Sequence, residues 1–585
     1  MSGELRLPFS ARVSRASDLA AISAVFERAR SEEWATRLAD KDVTLWTRDA
    51  EVQAKIANRL GWLDAPVHFT EQVPALEAFG EKVRDAGFTT AIVAGMGGSS
   101  LAPEVLATAF ASISEWLKIR VCDSTDPEAV AAALAGLNPA KTLVIVASKS
   151  GTTTETLSFT AYAAGWISSA LSAGEDPFAS MIAISDPSPS IDGIPGNERM
   201  LERFLNPADI GGRYSALSFV GLVPASLLGI DLDSLLAAGA VAAAQLREPE
   251  PTANRAVALG VIIGALAGEG RDKLTLLVDE PIHGFGAWAE QLVAESTGKQ
   301  GVGVVPVDLE PLGALESYQD DRLFVRIALN GGRAPRAADG TSADTRLNQL
   351  AAAGHPVISY TLSDAIDLGG EFLHWEAATA IAGVVLGINP FDEPNVTESK
   401  QNTTAVLGEL AATGALPELT PKCADGPLQL WVDGALPAAF ADDAVKLVAG
   451  QLQRLAQRGY IGIHAYIATT PERTAALTSL RLLLRDATHR ATTVGYGPRF
   501  LHSTGQLHKG GAPIGWFIQL VAGRPHDLEI PGSSFTFGQL VDAQALGDAR
   551  SLVAHDLPIL RIHLGSNPDA GLVAVESLFR RALSA

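Results

Sequence analysis

The feature that most constrains this chain is an alternation, run through twice, of helix, short apolar run, glycine or serine turn, and helix. The first round places strands at Thr89–Ala94, Ile119–Cys122, Thr142–Ala147 and Met181–Ser185. The second places them at Leu274–Val278, Val302–Val307, Leu323–Leu329 and Val357–Leu362. Strands separated by helical stretches form a parallel sheet covered by helices, so two similar α/β units are expected. Ahead of them, residues 14–62 carry apolar positions at helical spacing among charged ones, an amphipathic lead-in that packs as support. The helical stretch Ala237–Gly268 lies between the two rounds. The segment ALPELTPKCADGP from Ala415, rich in proline and turn formers, marks a boundary near residue 420. Beyond it come strands at Leu428–Val432 and Ile461–Ala468, a helix over Pro471–Arg490, and then glycine-rich loops. The expected division is 1–70, 71–250, 251–420 and 421–585.

Composition excludes several classes of function. With 585 residues, three or four packed units are expected. Hydrophobic residues make up 47% of the chain, yet no run approaches the ~18 uncharged apolar residues that cross a bilayer. The amino terminus MSGELRLPFSARVSR lacks the apolar stretch of a secretory signal, so a cytoplasmic location and no membrane partner are expected. Cys122 and Cys423 stand outside any CxxC or CxxH spacing and read as ordinary thiols, with no metal site. A net charge of −21 argues against nucleic-acid binding, which draws on clustered Lys and Arg. Any phosphate must therefore be held locally. Four of the 12 lysines, Lys149, Lys299, Lys400 and Lys509, fall inside the motif segments below.

Two loops carry the chemistry. AIVAGMGGSSLAP, from Ala91, runs from strand through glycine turn to helix, so Gly98 and Ser99 sit at a helix start open to an anion or a sugar; alone, it reads equally well as a tight turn. Its GxGG spacing does not fit a dinucleotide fingerprint. VIVASKSGTTTETL, from Val144, crowds Ser148, Ser150, Thr152, Thr153, Thr154 and Thr156 onto the next helix start, beside Lys149 and Glu155. Hydroxyls and free amides together can surround a phosphate with neutral donors, which suits a strongly acidic protein. The GxxxxGK order of a nucleotide-binding P-loop is absent.

The pair GMGGSSLAP and SKSGTTTET resembles the sugar-isomerase domain, a five-stranded doubly wound unit that binds phosphosugars through its second loop. Three further blocks, IGGRYSALSFVGLVP from Ile210, AEQLVAESTGKQGVGVVPV from Ala289 and GINPFDEPNVTESKQN from Gly387, are similar in content and order to segments of the phosphoglucose isomerase family. The resemblance implies an α/β fold: two doubly wound parallel-sheet sugar-isomerase units, a helical amino-terminal segment and a mixed α/β carboxy-terminal unit that completes the site. It implies interconversion of glucose 6-phosphate and fructose 6-phosphate, with a phosphosugar as the partner, no cofactor and a possible homo-oligomer. It also implies that Ser148, Ser150 and Thr153 bind phosphate, that Lys149 contributes mainly backbone, and that Gly98 and Ser99 line the sugar. Arg213 would stand beside the C1 and C2 oxygens, Glu295 would be the base, and Lys400 would lie near the ring oxygen. Glu393 falls where the family usually has glutamine, and Glu155 is a further substrate-side carboxylate.

These residue types suit the reaction on chemical grounds. One carboxylate can carry a proton from C2 to C1 through an enediolate, and a fixed guanidinium can stabilise the charge that grows on the oxygens. Ring opening needs a separate acid and base, for which a lysine and a histidine are suited. Outside these motifs, Glu295 reads as a solvated helix-end carboxylate and Arg213 as a surface ion pair. His374 sits on an apolar helical stretch and reads as a packed core histidine.

The family's histidine normally falls between the ESxGK and GxNxFD blocks, but the interval DLEPLGALESYQDD from Asp308 contains none. HSTGQ, which contains His502, is similar to the HSxGQ stretch of some bacterial members, so the histidine is expected to have moved to the carboxy-terminal unit, with His508 also near the cleft. That arrangement resembles the isomerase half of bacterial transaldolase and phosphoglucose isomerase fusions. A noncatalytic phosphosugar-binding regulator is the competing reading, but it has no need of Glu295, Arg213 and Lys400 together. The isomerase part of an amidotransferase would need a catalytic amino-terminal cysteine, which neither Cys122 nor Cys423 supplies.

Overall fold

The computed structural model describes residues 7–417, 419–433 and 443–585; the first six residues of the amino-terminal stretch and Glu418 of the turn-rich boundary lie outside it. Strand β1 (Ser10–Arg12) opens the chain, followed by a helix over Ala16–Ser31 that buries Ile22, Phe26 and Ala29 on one face. The helical lead-in therefore begins with a strand, too short and too polar to show an alternating pattern.

The first sheet contains β2 (Thr90–Ala94), β3 (Lys118–Cys122), β4 (Thr142–Ala147), β5 (Met181–Ser185) and β6 (Glu202–Leu205), in the order β3-β2-β4-β5-β6. All its pairs are parallel. The runs TAIVA, TLVIVA and MIAIS are buried along their whole length, as strands covered on both faces must be. The direction of winding reverses between β2 and β4, and ligands of such sheets bind outside the carboxyl ends of the strands at that point. The two glycine and hydroxyl loops leave those two strands.

The second sheet contains β7 (Lys273–Val278), β8 (Val305–Val307), β9 (Arg322–Leu329) and β10 (Val357–Leu362) in parallel, ordered β10-β9-β7-β8. Strand β1 closes its edge antiparallel to β10, with Ser10 opposite Ser359. The run expected from Val302 begins only at Val305, because Val302 turns back to bridge Lys299. The expected stretch Ala237–Gly268 is two helices, Leu232–Gln245 and Arg255–Gly268, broken where Asn254 caps the second. Both sheets are thus doubly wound α/β layers.

The carboxy-terminal layer corrects the expectation of terminal loops. Strands β11 (Cys423–Asp425), β12 (Leu428–Val432), β13 (Tyr460–Tyr466), β14 (Ala491–Tyr496), β15 (Gly515–Val521) and β16 (Ile559–His563) form a mixed sheet. Helices Pro471–Thr488, Phe537–Ala554 and Pro568–Leu583 cover it. The apolar pattern is interrupted at His464 and Gln519, both buried and held in polar contacts, and by Gly495 in β14. This layer is docked on the other two: Tyr460, Leu507 and Phe517 share a core with Ala294, Val305 and Val307 of the second layer. Phe537 and Leu540 pack into the core under the first sheet. Among the described residues no helix is long and apolar enough to cross a membrane.

Glu310 joins the second and third layers. Its carboxylate lies 3.2 Å from Arg322 of β9 and 3.5 Å from Arg485 of the helix Pro471–Thr488, all three side chains being buried. Thr492 of β14 donates to it at 3.3 Å. Burial pushes this carboxyl up, but the surrounding guanidinium groups outweigh it and hold it below the usual range. Glu310→Ala leaves both arginines without their shared anion, and a loss of about 3 kcal/mol or more is expected in urea unfolding.

Candidate active site

Gly97, at φ +54°, ends the turn after β2 and starts the helix Gly98–Ala109. A Cβ there would stand 2.5 Å from the carbonyl of His502 and 2.6 Å from Gln291 Nε2, so only glycine lets the third layer approach the first loop this closely. A Cβ on Gly98 would be 2.1 Å from the carbonyl of Gly212, which sets the turn bearing Arg213 directly against the same loop. Ser99 lines a small void with Lys149, Ser185, Asp186 and Gly212.

In the second loop, Thr153 precedes the helix Thr154–Ser168, and its side chain does not cap the helix. It meets Ser148 instead, Oγ to Oγ1 at 2.9 Å, while Ser150 and Thr152 pair at 2.9 Å. No side-chain oxygen caps the amides of the first helical turn. The Lys149 amine is turned away, donating to Asp186 at 2.6 Å and to the carbonyl of Ala208 at 3.0 Å.

Arg213 is buried and holds its neighbours on several sides. Its Nε donates to Ser296 at 2.7 Å and its Nη2 to the carbonyls of Pro390 and Asp392 at 2.8 and 3.0 Å. Its Nη1 lies 3.2 Å from Glu295 and 3.1 Å from Glu393. Glu295 is in the last turn of the helix Phe285–Thr297, and its second oxygen accepts from Gln291 Nε2 at 3.0 Å. Burial raises the Glu295 carboxyl above its ordinary value; Arg213 opposes that and Glu393 adds to it. Lys299 is buried nearby and donates to Asp392, and burial together with the Arg213 charge lowers its amine to about 8.

A second cluster lies across Gln291, whose Nε2 also donates to the carbonyl of His502 at 2.7 Å. His502 closes a short helical turn, Arg499–His502, just beyond β14. Its Nε2 is 3.0 Å from Glu155 Oε1. Burial pushes the Glu155 carboxyl up, but His502 and Lys400 outweigh it and hold it below the usual range. Asp123, which accepts from Ser100 and pairs with Arg499, is raised by burial to about 6 against the opposing charge of His502. A cavity of about 230 Å³ opens beside this cluster, lined by Thr152, Thr153, Glu155, Lys400, His502 and Gln544 among others.

The structure thus brings Glu295, Arg213 and Glu393 together, and Glu155, Lys400, His502 and Thr153 together, with Gln291 between the two groups. It does not bring His508 to the cavity. That ring is buried on the far side of its short helix, 2.8 Å from the Tyr460 hydroxyl and tilted against His464, and burial holds it neutral. Lys509 is likewise buried, 2.8 Å from Asp548. His374 is a core residue bonded to Gln245 at 3.1 Å. Gln291 and Gln544 were not among the sequence candidates. Gln291 lies one helical turn before Glu295, a spacing that could have marked it; nothing in the local sequence marks Gln544.

Two doubly wound layers with a hydroxyl-rich loop at the switch point and a buried carboxylate–guanidinium pair beside it define a sugar-isomerase fold. Residues 40–306 match the family described as phosphoglucose isomerase. A glucose-6-phosphate isomerase of Rubrobacter xylanophilus is 27% identical over 381 residues, 58% of this chain and 87% of the relative. One of Lactobacillus delbrueckii is 29% identical over 60% of this chain and 86% of its own length. Another, of Symbiobacterium thermophilum, is 32% identical over 35% of this chain and 53% of its own length. Among solved structures, a Thermus thermophilus protein described as hypothetical aligns at TM-score 0.55 and 25% identity, over 68% of this chain and all of its own. A glucose-6-phosphate isomerase from Chlamydia trachomatis aligns at TM-score 0.55 and 20% identity, over 70% of this chain and 90% of its own, a likeness of fold.

Because the Glu393 charge adds to the effect of burial in raising Glu295, Glu393→Gln should let Glu295 ionise at lower pH. Carboxyl 13C titration of the two proteins measures the displacement; no change would mean that the two charges are not coupled.

Proposed function

We propose that this chain interconverts glucose 6-phosphate and fructose 6-phosphate by opening the ring and moving one proton between C2 and C1 through an enediolate. The observation that carries this reading is the buried Glu295–Arg213 pair, tied through Gln291 to the segment bearing His502 and set beside a hydroxyl-rich helix start. Glu295 as carboxylate takes the proton from C2 and returns it to C1. Its burial makes it a stronger base than an exposed glutamate, which favours general-base work near neutral pH. Arg213 presents a guanidinium already fixed by four protein acceptors, so charge growing on the sugar oxygens meets a positive charge held in place beforehand.

In this reading Ser148, Ser150, Thr153 and the first-turn amides hold the phosphate, with Lys149 contributing backbone. Gly98 and Ser99 line the sugar. Glu393 tunes Arg213 and Glu295. His502 and Lys400 serve ring opening, with Glu155 orienting the imidazole. The proposal needs neither metal nor nucleotide, and it includes a cytoplasmic location and a phosphosugar as the partner.

A coupled assay on the two sugar phosphates tests the reading directly. Glu295→Gln should lower exchange of the C2 proton by about a thousand-fold while phosphate-dependent binding persists. Near-normal exchange in that variant would move the base elsewhere. The double change Ser150→Ala with Thr153→Ala should raise KM about ten-fold or more, with a smaller fall in turnover as the phosphate anchor loosens. Unchanged affinity for both sugar phosphate and inorganic phosphate would dispose of the phosphate assignment.

A further inference from the structure

Gln544 enters the site from the helix Phe537–Ala554 of the carboxy-terminal layer, and the reaction as described gives it no task. Its amide is held at both ends. Thr125, beyond β3, donates its hydroxyl to Oε1 at 2.5 Å, and Nε2 donates to Glu155 Oε1 at 2.7 Å. An ionised carboxylate accepts only, so the amide nitrogen must face Glu155 and its oxygen must face the Thr125 hydroxyl. The oxygen that receives Gln544 is also the one that receives His502 Nε2 at 3.0 Å. With two donors on one oxygen, Glu155 cannot rotate without giving up both. The same bond places the hydrogen of the neutral imidazole on Nε2 and leaves Nδ1 as the nitrogen without one.

We propose that Gln544 is a positioning residue for ring opening: backed by Thr125, it aims the Glu155 carboxylate at Nε2 of His502 and keeps Nδ1 as the nitrogen that exchanges protons with the sugar. This rests on the isomerase reading of the same site. The helix that carries Gln544 is held against the helix Pro394–Thr413, which bears Lys400, by Val406, Ala543 and Leu546, and a Cβ on Gly547 would stand 2.9 Å from the Thr403 amide. Gln544 is therefore set at a fixed height over the cavity. The charged groups around His502 are Glu155 from the helix Thr154–Ser168, Lys400, Asp123 beyond β3, and Arg499 in its own turn. Gln544 is neutral, so replacing it changes hydrogen bonding and direction without changing the charge there.

Two near-isosteric variants test the inference. Gln544→Met removes both amide bonds, and Thr125→Val removes only the donor that pins the amide. Turnover of cyclic glucose 6-phosphate should fall about ten-fold in Gln544→Met and about three-fold in Thr125→Val. C2-proton exchange on an open-chain analogue should stay within about two-fold of wild type, because that step does not pass through His502. The 15N spectrum of the His502 ring should change from a single Nε2–H tautomer to a mixture in Gln544→Met. Equal losses on cyclic and open-chain substrates, or unchanged cyclic turnover with one tautomer kept, would overturn the proposal. If Gln544→Met does not fold, Thr125→Val decides by the same comparison. Wild-type protein inactive on both substrates would instead overturn the isomerase reading, and the tautomer measurement would still decide whether Gln544 directs Glu155.

Discussion

A guanidinium withdrawn from water must find an acceptor for nearly every N–H it carries, or its burial becomes prohibitively costly. Arg213 meets that requirement from two separate stretches of chain: Glu295 and Ser296 at the end of the helix Phe285–Thr297, and the carbonyls of Pro390 and Asp392 with the Glu393 carboxylate just before the helix Pro394–Thr413. Satisfying one side chain therefore brings together the turn after the first sheet, the helix that follows β7, and the loop between the helices Leu368–Leu386 and Pro394–Thr413. The close approach of Gly98 to Gly212 places that junction on the first glycine loop. Removing the charge would leave Glu295 and Glu393 facing each other without a cation between them.

The reading of strands from the sequence succeeded where one physical condition held. Strands buried on both faces show as unbroken apolar runs, so β2, β4 and β5 stand where those runs stand. Strand β6 is largely exposed at a sheet edge and carries Glu202 and Arg203, which leaves no such signal. In the carboxy-terminal sheet the difficulty is the opposite. Gln519 is buried inside β15 because Arg561 and the carbonyl of Ala545 satisfy its amide, and a sequence pattern cannot see that compensation. For the site, loop chemistry and resemblance located the residues, but not which of them meet. That Lys149 turns to Asp186 and His508 to Tyr460 depends on partners far away in the chain.

The carboxy-terminal layer is part of the site's construction. His502 leaves the carboxyl end of β14, Gln544 projects from the helix after β15, and both end on the same carboxylate oxygen of the first layer. Behind them, His464, His508, Lys509 and Asp548 form a buried polar cluster that supports the short helix following His502. Such clusters are unforgiving: satisfied, they specify one arrangement, and half satisfied, they oppose folding.

The antiparallel pairing of β1 with β10 has a consequence for synthesis on the ribosome. The first sheet draws on one continuous stretch, from β2 to β6, and can form while the rest of the chain is still being made. Strand β1 emerges before any of these, yet its partner Val357–Ser359 is translated long afterwards. Until then the amino-terminal strand has no native edge to join, and the exposed flank of the second sheet cannot be covered. Residues made ahead of the whole first sheet are thus among the last to reach their place, so the nascent chain must carry an unpaired strand until Val357–Ser359 is made.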